Sequence, residues 1–83
     1  MKIYTKISGF GHFLPKKILS NQDLKKLVDT SDEWIYSRTG IKQRHIAENS
    51  ELTSNLAINA ALSAFKDSKI KPKDIDCIIV ATT

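Results

Sequence analysis

The chain has 83 residues and a formal net charge of +4, and this length allows one small domain at most. Its one cysteine, Cys77, excludes an internal disulfide bond, and neither Cys77 nor the distant His12 and His45 have the spacing of a metal site. The apolar runs are too short to span a membrane, and residues 1–10 are too polar for a secretory signal. The lysines are scattered and do not form the basic stripe of a nucleic-acid-binding protein. We therefore expect a cytoplasmic protein that binds neither membranes nor nucleic acid.

The first predicted elements are a strand and a short helix. Residues 2–10 alternate loosely between polar and apolar side chains, which predicts a strand that ends at a Gly-Phe-Gly turn. Ser20 and Asn21 are candidate helix caps, and apolar residues follow them at helical spacing between positions 24 and 28. This pattern predicts a short helix that begins near residue 20.

Residues 29–40, with the sequence DTSDEWIYSRTG, predict a second helix. Thr30 and Glu33 have the spacing of a capping box, and acidic residues in the first turn complement the positive end of the helix dipole. Gly40 is a candidate C-cap, because glycine adopts the left-handed conformation that often ends a helix. We therefore expect a short, well-capped helix.

The spacing of Trp34 and Arg38 has two interpretations. The residues are four positions apart and share one helix face. Spacing alone favours a cation–π pair on the helix surface. The alternative is a nucleotide site, in which the indole stacks on a purine and the guanidinium holds a phosphate. Thr30 and Thr39 would then add hydroxyl contacts at its rim.

Three further elements follow along the chain. Residues 41–47 alternate and predict a second strand, and residues 53–68 predict a long helix. Residues 75–83 form a near-continuous apolar run, typical of a strand buried in a parallel sheet, and Cys77 within it is expected to be a small buried residue. The long helix carries an alanine stripe that would let it lie close to a flat partner such as a sheet; its members are Ala57, Ala60, Ala61, Ala64 and Phe65.

This order of elements predicts an α/β fold. A central strand needs neighbours at both edges and layers on both faces, and little sequence follows residue 75 to supply them. The 83 residues are therefore expected to be the front of a larger protein.

The segment DTSDEWIYSRTGIKQRHIA closely resembles a signature of β-ketoacyl-acyl carrier protein synthase III, the family of condensing enzymes that starts type II fatty acid synthesis. The resemblance extends through YTKISGFGHFLP and SNQDL to IDCIIVATT, and so covers essentially the whole chain. It implies a thiolase-like αβαβα fold, of which residues 1–83 would be the N-terminal portion of the first half, with the remainder of the domain absent. It also implies a homodimeric assembly for the intact enzyme.

The resemblance also implies roles for the residues singled out above. The residue matching Trp34 stacks on the adenine of coenzyme A, the one matching Arg38 lies beside the nucleotide, and those matching Thr30 and Thr39 line the same opening. Acetyl-CoA is then a substrate, an acyl carrier protein is the partner, and no cofactor is held permanently. With the resemblance, the nucleotide site becomes the favoured interpretation.

The catalytic residues of the family, a cysteine, a histidine and an asparagine, are expected beyond the position of Thr83, so Cys77 does not inherit the role of nucleophile. The chain by itself is expected to be inactive. Three alternatives remain: a small stand-alone module that binds coenzyme A or a nucleotide, a related starter-condensing enzyme of secondary metabolism, and a basic interaction protein without a ligand.

Overall fold

The computed structural model describes residues 2–82, in two compact units. One unit comprises residues 14–56, and the other comprises the described residues 2–13 and 57–82. The strands are β1 (Lys17–Ser20) and β2 (Gln43–Ile46); the helices are α1 (Asn21–Lys25), α2 (Asp32–Thr39) and α3 (Thr53–Ser68), and a short 3₁₀ helix spans Pro72–Asp74.

The two strands form an antiparallel ribbon within the unit of residues 14–56. Lys17 lies opposite Ile46, and Ser20 lies opposite Gln43. The strand predicted within residues 41–47 is thus confirmed as β2. Its partner β1 was not predicted, because four residues without clear alternation carry little local signal.

Helix α1 begins with a capping box. The Ser20 hydroxyl accepts a hydrogen bond from the Asp23 backbone N–H at 3.1 Å, and the Asp23 carboxylate accepts one from the Ser20 N–H at 3.1 Å. The Ser20 backbone donor, followed by the Ser20 hydroxyl, holds the pKa of Asp23 below its ordinary value. The predicted cap is therefore confirmed, although the helix ends at Lys25 and turns follow it.

Helix α3 has the predicted bounds, residues 53–68. A Cβ atom added at Gly11 would collide with the backbone of Ala60 and Ala64, so the N-terminal segment passes directly over the alanine stripe. The small side chains permit a close approach as predicted, but the partner here is a segment without helix or strand and not a sheet. Lys69 follows the helix in the left-handed conformation, with φ of 63°, and its N–H donates to the Phe65 carbonyl at 2.8 Å.

Two predicted strands are wrong. Residues 2–10 and 75–82 contain no strand, and Thr83, the last residue of the second prediction, lies outside the described residues. Apolar side chains in both segments are largely exposed, with Ile3 at 88% and Ile79 at 90%. A strand requires hydrogen bonds to a neighbouring strand, and neither segment pairs with one in the described residues. Cys77 is exposed as well, so the prediction that it is buried is also wrong.

Candidate functional site

Helix α2 carries the candidate site, and its first turn is fixed by a serine. The Ser31 hydroxyl accepts a hydrogen bond from the Trp34 backbone N–H at 3.1 Å, and Ser31 has the extended backbone of an N-cap. The prediction that Thr30 caps this helix is therefore wrong by one residue. Trp34 is the third helical residue after Ser31, so the serine and not Thr30 is placed to reach its N–H.

The end of α2 is closed by Thr39 and Gly40. Gly40 has a φ of 72° and donates its N–H to the Tyr36 carbonyl at 2.8 Å, which confirms the predicted C-cap. The Thr39 hydroxyl donates to the Ile35 carbonyl at 2.8 Å and accepts from the Ile41 N–H at 3.0 Å. The hydroxyl of Thr39 is thus engaged in ending the helix.

Trp34 and Arg38 form a stacked pair on the exposed side of α2. The Arg38 Cζ atom lies 5.1 Å from the centre of the indole ring, within the range of a cation–π contact. Trp34 remains 56% exposed, so a large part of the indole is accessible to solvent. The guanidinium therefore braces the indole without burying it.

A cavity of about 350 Å³ opens beside the indole. It is lined by Asp29, Thr30, Ser31 and Trp34. Two of the four predicted site residues, Thr30 and Trp34, therefore line one cavity, whereas Arg38 contacts Trp34 but does not line the cavity. The cavity is open to solvent, and its volume is at the lower end of the range of about 300–1,000 Å³ that small-molecule sites have.

A second cation–π pair gives α2 an internal control. The Lys42 Nζ atom lies 5.2 Å from the centre of the Tyr36 ring. Tyr36 is 48% exposed, close to the exposure of Trp34, but it does not line the cavity. Both aromatic residues stack on a cation, so Trp34 is distinguished from Tyr36 by its position at the cavity.

Sequence reasoning missed the residue that anchors α2. Asn21 was considered only as a helix cap, but its side chain is 1% exposed and bonds to Asp32, Ile41 and Arg44. An asparagine at a helix start gives no local sign that it will be buried by distant residues. Knowledge of which residues surround position 21 would have been needed to find it.

The other residues with reactive side chains do not line this cavity. The Nδ1 atom of His45 bonds to the Pro15 carbonyl, which gives this histidine a structural role. His12 and Cys77 belong to the unit of residues 2–13 and 57–82. Within residues 2–82, no three His, Cys, Asp or Glu side chains cluster as a metal site would require, and no helix is long and apolar enough to cross a membrane.

The chain is similar in sequence and in fold to known ketosynthases. No protein-family model matches the chain. It is 58% identical over 81 residues to a β-ketoacyl-[acyl-carrier-protein] synthase III of Caldanaerobacter subterraneus, an alignment that covers 98% of this chain and 24% of the relative. It is 61% identical over 77 residues to the protein of that name in Clostridium acetobutylicum, with 93% of this chain and 23% of the relative covered.

Solved structures agree with these relatives. The fold matches 3-oxoacyl-[acyl-carrier-protein] synthase III of Aquifex aeolicus with a TM-score of 0.82 and 49% identity, over 88% of this chain and 23% of that one. It also matches the priming β-ketosynthase of the R1128 polyketide pathway with a TM-score of 0.82 and 32% identity, over 86% of this chain and 21% of that one.

The described elements therefore have the fold of part of a thiolase-like ketosynthase, which confirms the predicted fold class. The chain spans about a quarter of the length of the curated relatives it matches. In sequence and in fold, the chain is therefore similar to about a quarter of a β-ketoacyl-[acyl-carrier-protein] synthase III.

Proposed function

We propose that this chain forms part of the coenzyme A entrance of a β-ketoacyl-acyl carrier protein synthase III. Such an enzyme condenses acetyl-CoA with malonyl-acyl carrier protein, releases coenzyme A and carbon dioxide, and starts type II fatty acid synthesis. The observation that carries the proposal is the half-exposed Trp34, which lines a cavity together with Thr30 and is stacked on Arg38.

Each proposed contact follows from the chemistry of its side chain. The indole of Trp34 offers a flat surface for the adenine, and Arg38 supplies positive charge for the phosphates. The Thr30 hydroxyl can donate to or accept from a base edge. Thr39 would make the weakest of the four contacts. Its hydroxyl already donates one hydrogen bond and accepts another within the chain, so only one lone pair remains for a ligand.

The condensing chemistry is assigned to residues beyond the 83 of this chain. We place the 83 residues at the N-terminal end of the first thiolase-like half. A thiolate nucleophile needs a helix N-terminus or a cation that lowers its pKa. Cys77 is exposed, lies after a 3₁₀ helix and is not at the N-terminus of an α-helix of the described residues, so it does not meet this requirement there. Acetyl-CoA is accordingly a substrate and not a permanent cofactor, and the acyl carrier protein, the homodimer and the cytoplasmic location belong to the proposed intact enzyme.

A priming ketosynthase of secondary metabolism is the second candidate, because a solved structure of that kind matches equally well in fold. The sequence favours the synthase III, with 49% identity against 32% for the polyketide enzyme. A stand-alone nucleotide module would share the same cavity. The condensation product formed by the intact polypeptide from acetyl-CoA and malonyl-acyl carrier protein separates these alternatives.

The coenzyme A site can be tested directly, because Trp34 is the single tryptophan of the chain. Its fluorescence should change saturably as coenzyme A is added to the purified chain. Pantetheine, which lacks the adenine nucleotide, should have no such effect, and Arg38→Ala should weaken the response to coenzyme A. An equal response to both compounds, or no response to coenzyme A, would contradict the proposal.

A further inference from the structure

One buried amide joins both ends of helix α2. The Asn21 Nδ2 atom donates to the Asp32 carboxylate at 2.8 Å and to the Ile41 carbonyl at 2.8 Å. Asp32 is the first residue of α2, and Ile41 follows the Gly40 cap at its other end. Both protons of a single amide group are therefore used to hold the start and the exit of the helix.

The same side chain is anchored to the antiparallel ribbon. The Asn21 Oδ1 atom accepts from Arg44 Nη2 at 2.6 Å, and Arg44 Nη1 also donates to the Leu19 carbonyl at 3.1 Å. The Asn21 backbone N–H donates to the Lys42 carbonyl at 3.0 Å. These bonds tie the amide to β1 and to β2, so that α2 is fixed relative to the ribbon through one residue.

Helix α2 has few other means of holding its orientation. It contains eight residues, too few to be stable alone, and Ile35 is its only buried residue. One apolar contact permits the helix to rotate about its axis, whereas directional hydrogen bonds at both ends do not. Rotation would carry Trp34, and with it the stacked Arg38, out of its present position at the cavity beside Thr30.

We propose that Asn21 is the positioning residue of the nucleotide site, which it serves by setting the orientation of α2. The inference rests on the proposed coenzyme A site for its ligand, but the orientation of α2 can be measured without one. Asparagine is required by the bonding pattern, because the site needs two donors and one acceptor on one short side chain. Aspartate would keep the acceptor for Arg44, lose both donors and oppose the Asp32 carboxylate.

The test uses an exchange of the two polar partners in the 83-residue chain. Asn21→Asp should weaken coenzyme A binding by about tenfold or more, as loss of hydrogen bonds to a buried group predicts. Asp32→Asn should bind nearly as the wild type, because the amide oxygen that it places at this position still accepts from Asn21. The double variant N21D/D32N restores a hydrogen bond in the reverse direction and keeps the charge balance with Arg44, so it should recover most of the lost affinity.

Two readouts separate positioning from general stability. The first is the dissociation constant for coenzyme A, measured by the fluorescence of Trp34. The second is the anisotropy decay of the same residue without ligand, in which Asn21→Asp should enlarge the fast nanosecond component and the double variant should reverse that change. Gln22→Asp, an equal change of charge at the exposed neighbouring position, is the matched control and should alter neither readout.

The possible results are distinct. Wild-type chain that does not respond to coenzyme A contradicts the proposed function, and the anisotropy of Trp34 then decides the role of Asn21 alone. Asn21→Asp with wild-type affinity and anisotropy, but a lower unfolding temperature, would show that Asn21 only stabilises the fold. If Asn21→Asp does not fold, the double variant decides: recovery of both readouts supports positioning, and a folded double variant without recovery overturns it.

Discussion

Replacement of Trp34 by alanine should separate ligand binding from stability. Stacking of a base on an aromatic side chain contributes about 1–3 kcal/mol, which corresponds to an increase of about fivefold to 150-fold in the KM for acetyl-CoA. The kcat of the proposed intact synthase should change much less, because the proposed site places the indole at the nucleotide end of the substrate and not at the reacting carbonyl. Steady-state kinetics of the intact enzyme at varied acetyl-CoA measure both constants.

The same substitution also removes packing, and the structure sets the size of that effect. Trp34 is 56% exposed, so somewhat less than half of its surface is covered. Roughly 100 Å² of covered apolar surface corresponds to an upper limit of about 2.5 kcal/mol in the free energy of unfolding. A loss of stability by itself therefore gives no evidence for a binding role.

Tyr36→Ala is the matched control for this reasoning. Tyr36 lies on the same helix, is 48% exposed and also stacks on a cation, but it does not line the cavity. Both variants should lose comparable stability, and only Trp34→Ala should raise the KM for acetyl-CoA. Arg38→Lys should raise the KM less than Arg38→Ala, because a point charge replaces only part of a planar guanidinium. An unchanged KM in Trp34→Ala, with stability lowered as in Tyr36→Ala, would refute the assignment of Trp34 as a ligand contact.

Four further outcomes are expected. Gly40→Ala should destabilise the protein by about 1–2 kcal/mol in urea unfolding, because an alanine with a φ of 72° has a strained backbone. No atom lies within 4 Å of the added Cβ, so a steric clash would not contribute to the loss. Equal stability of the variant and the wild type would contradict the explanation by backbone strain. The pKa of Asp23 is lower in the folded protein than its ordinary value of 3.8, so the ionised carboxylate stabilises the fold above pH 3.8, and this stability is lost as the pH falls through the folded pKa. The difference in unfolding free energy between wild type and Asp23→Asn should therefore shrink on acidification. A difference that stays constant with pH would rule this out. Incubation of the chain with acetyl-CoA should leave Cys77 unmodified by mass spectrometry, and a thioester at that residue would overturn the assignment of the chemistry to other residues. The exposed apolar segment 75–82 should cause the 83-residue chain to self-associate, which sedimentation would detect and which a monomer at high concentration would disprove.

Features that depend on neighbours along the chain were predictable. The bounds of α3 follow from its periodicity, and the cap at Gly40 follows from the conformational freedom of glycine. The stack of Arg38 on Trp34 follows from their spacing, because residues four apart on a helix must lie on one face. The aromatic and cationic half of the candidate site could therefore be predicted from local sequence.

Local sequence was not enough to predict which residue is the N-cap of α2. Thr30 and Ser31 are both capping residues, and the pattern with Glu33 favoured Thr30. The structure selects Ser31, whose hydroxyl bonds to the Trp34 N–H. Thr30 therefore lines the cavity and is not the helix cap, as its proposed role as a ligand contact requires.

The long helix and the pairing of Trp34 with Arg38 are encoded in residues close together in the chain, and local sequence was enough to predict them. The burial of Asn21, the cavity beside Thr30 and the exposure of segments 2–10 and 75–82 emerge only from the folded arrangement. The physical reason is that burial and strand pairing depend on partners distant in sequence. Asn21 meets Arg44 across 23 positions, whereas the apolar segments are unpaired within the described residues.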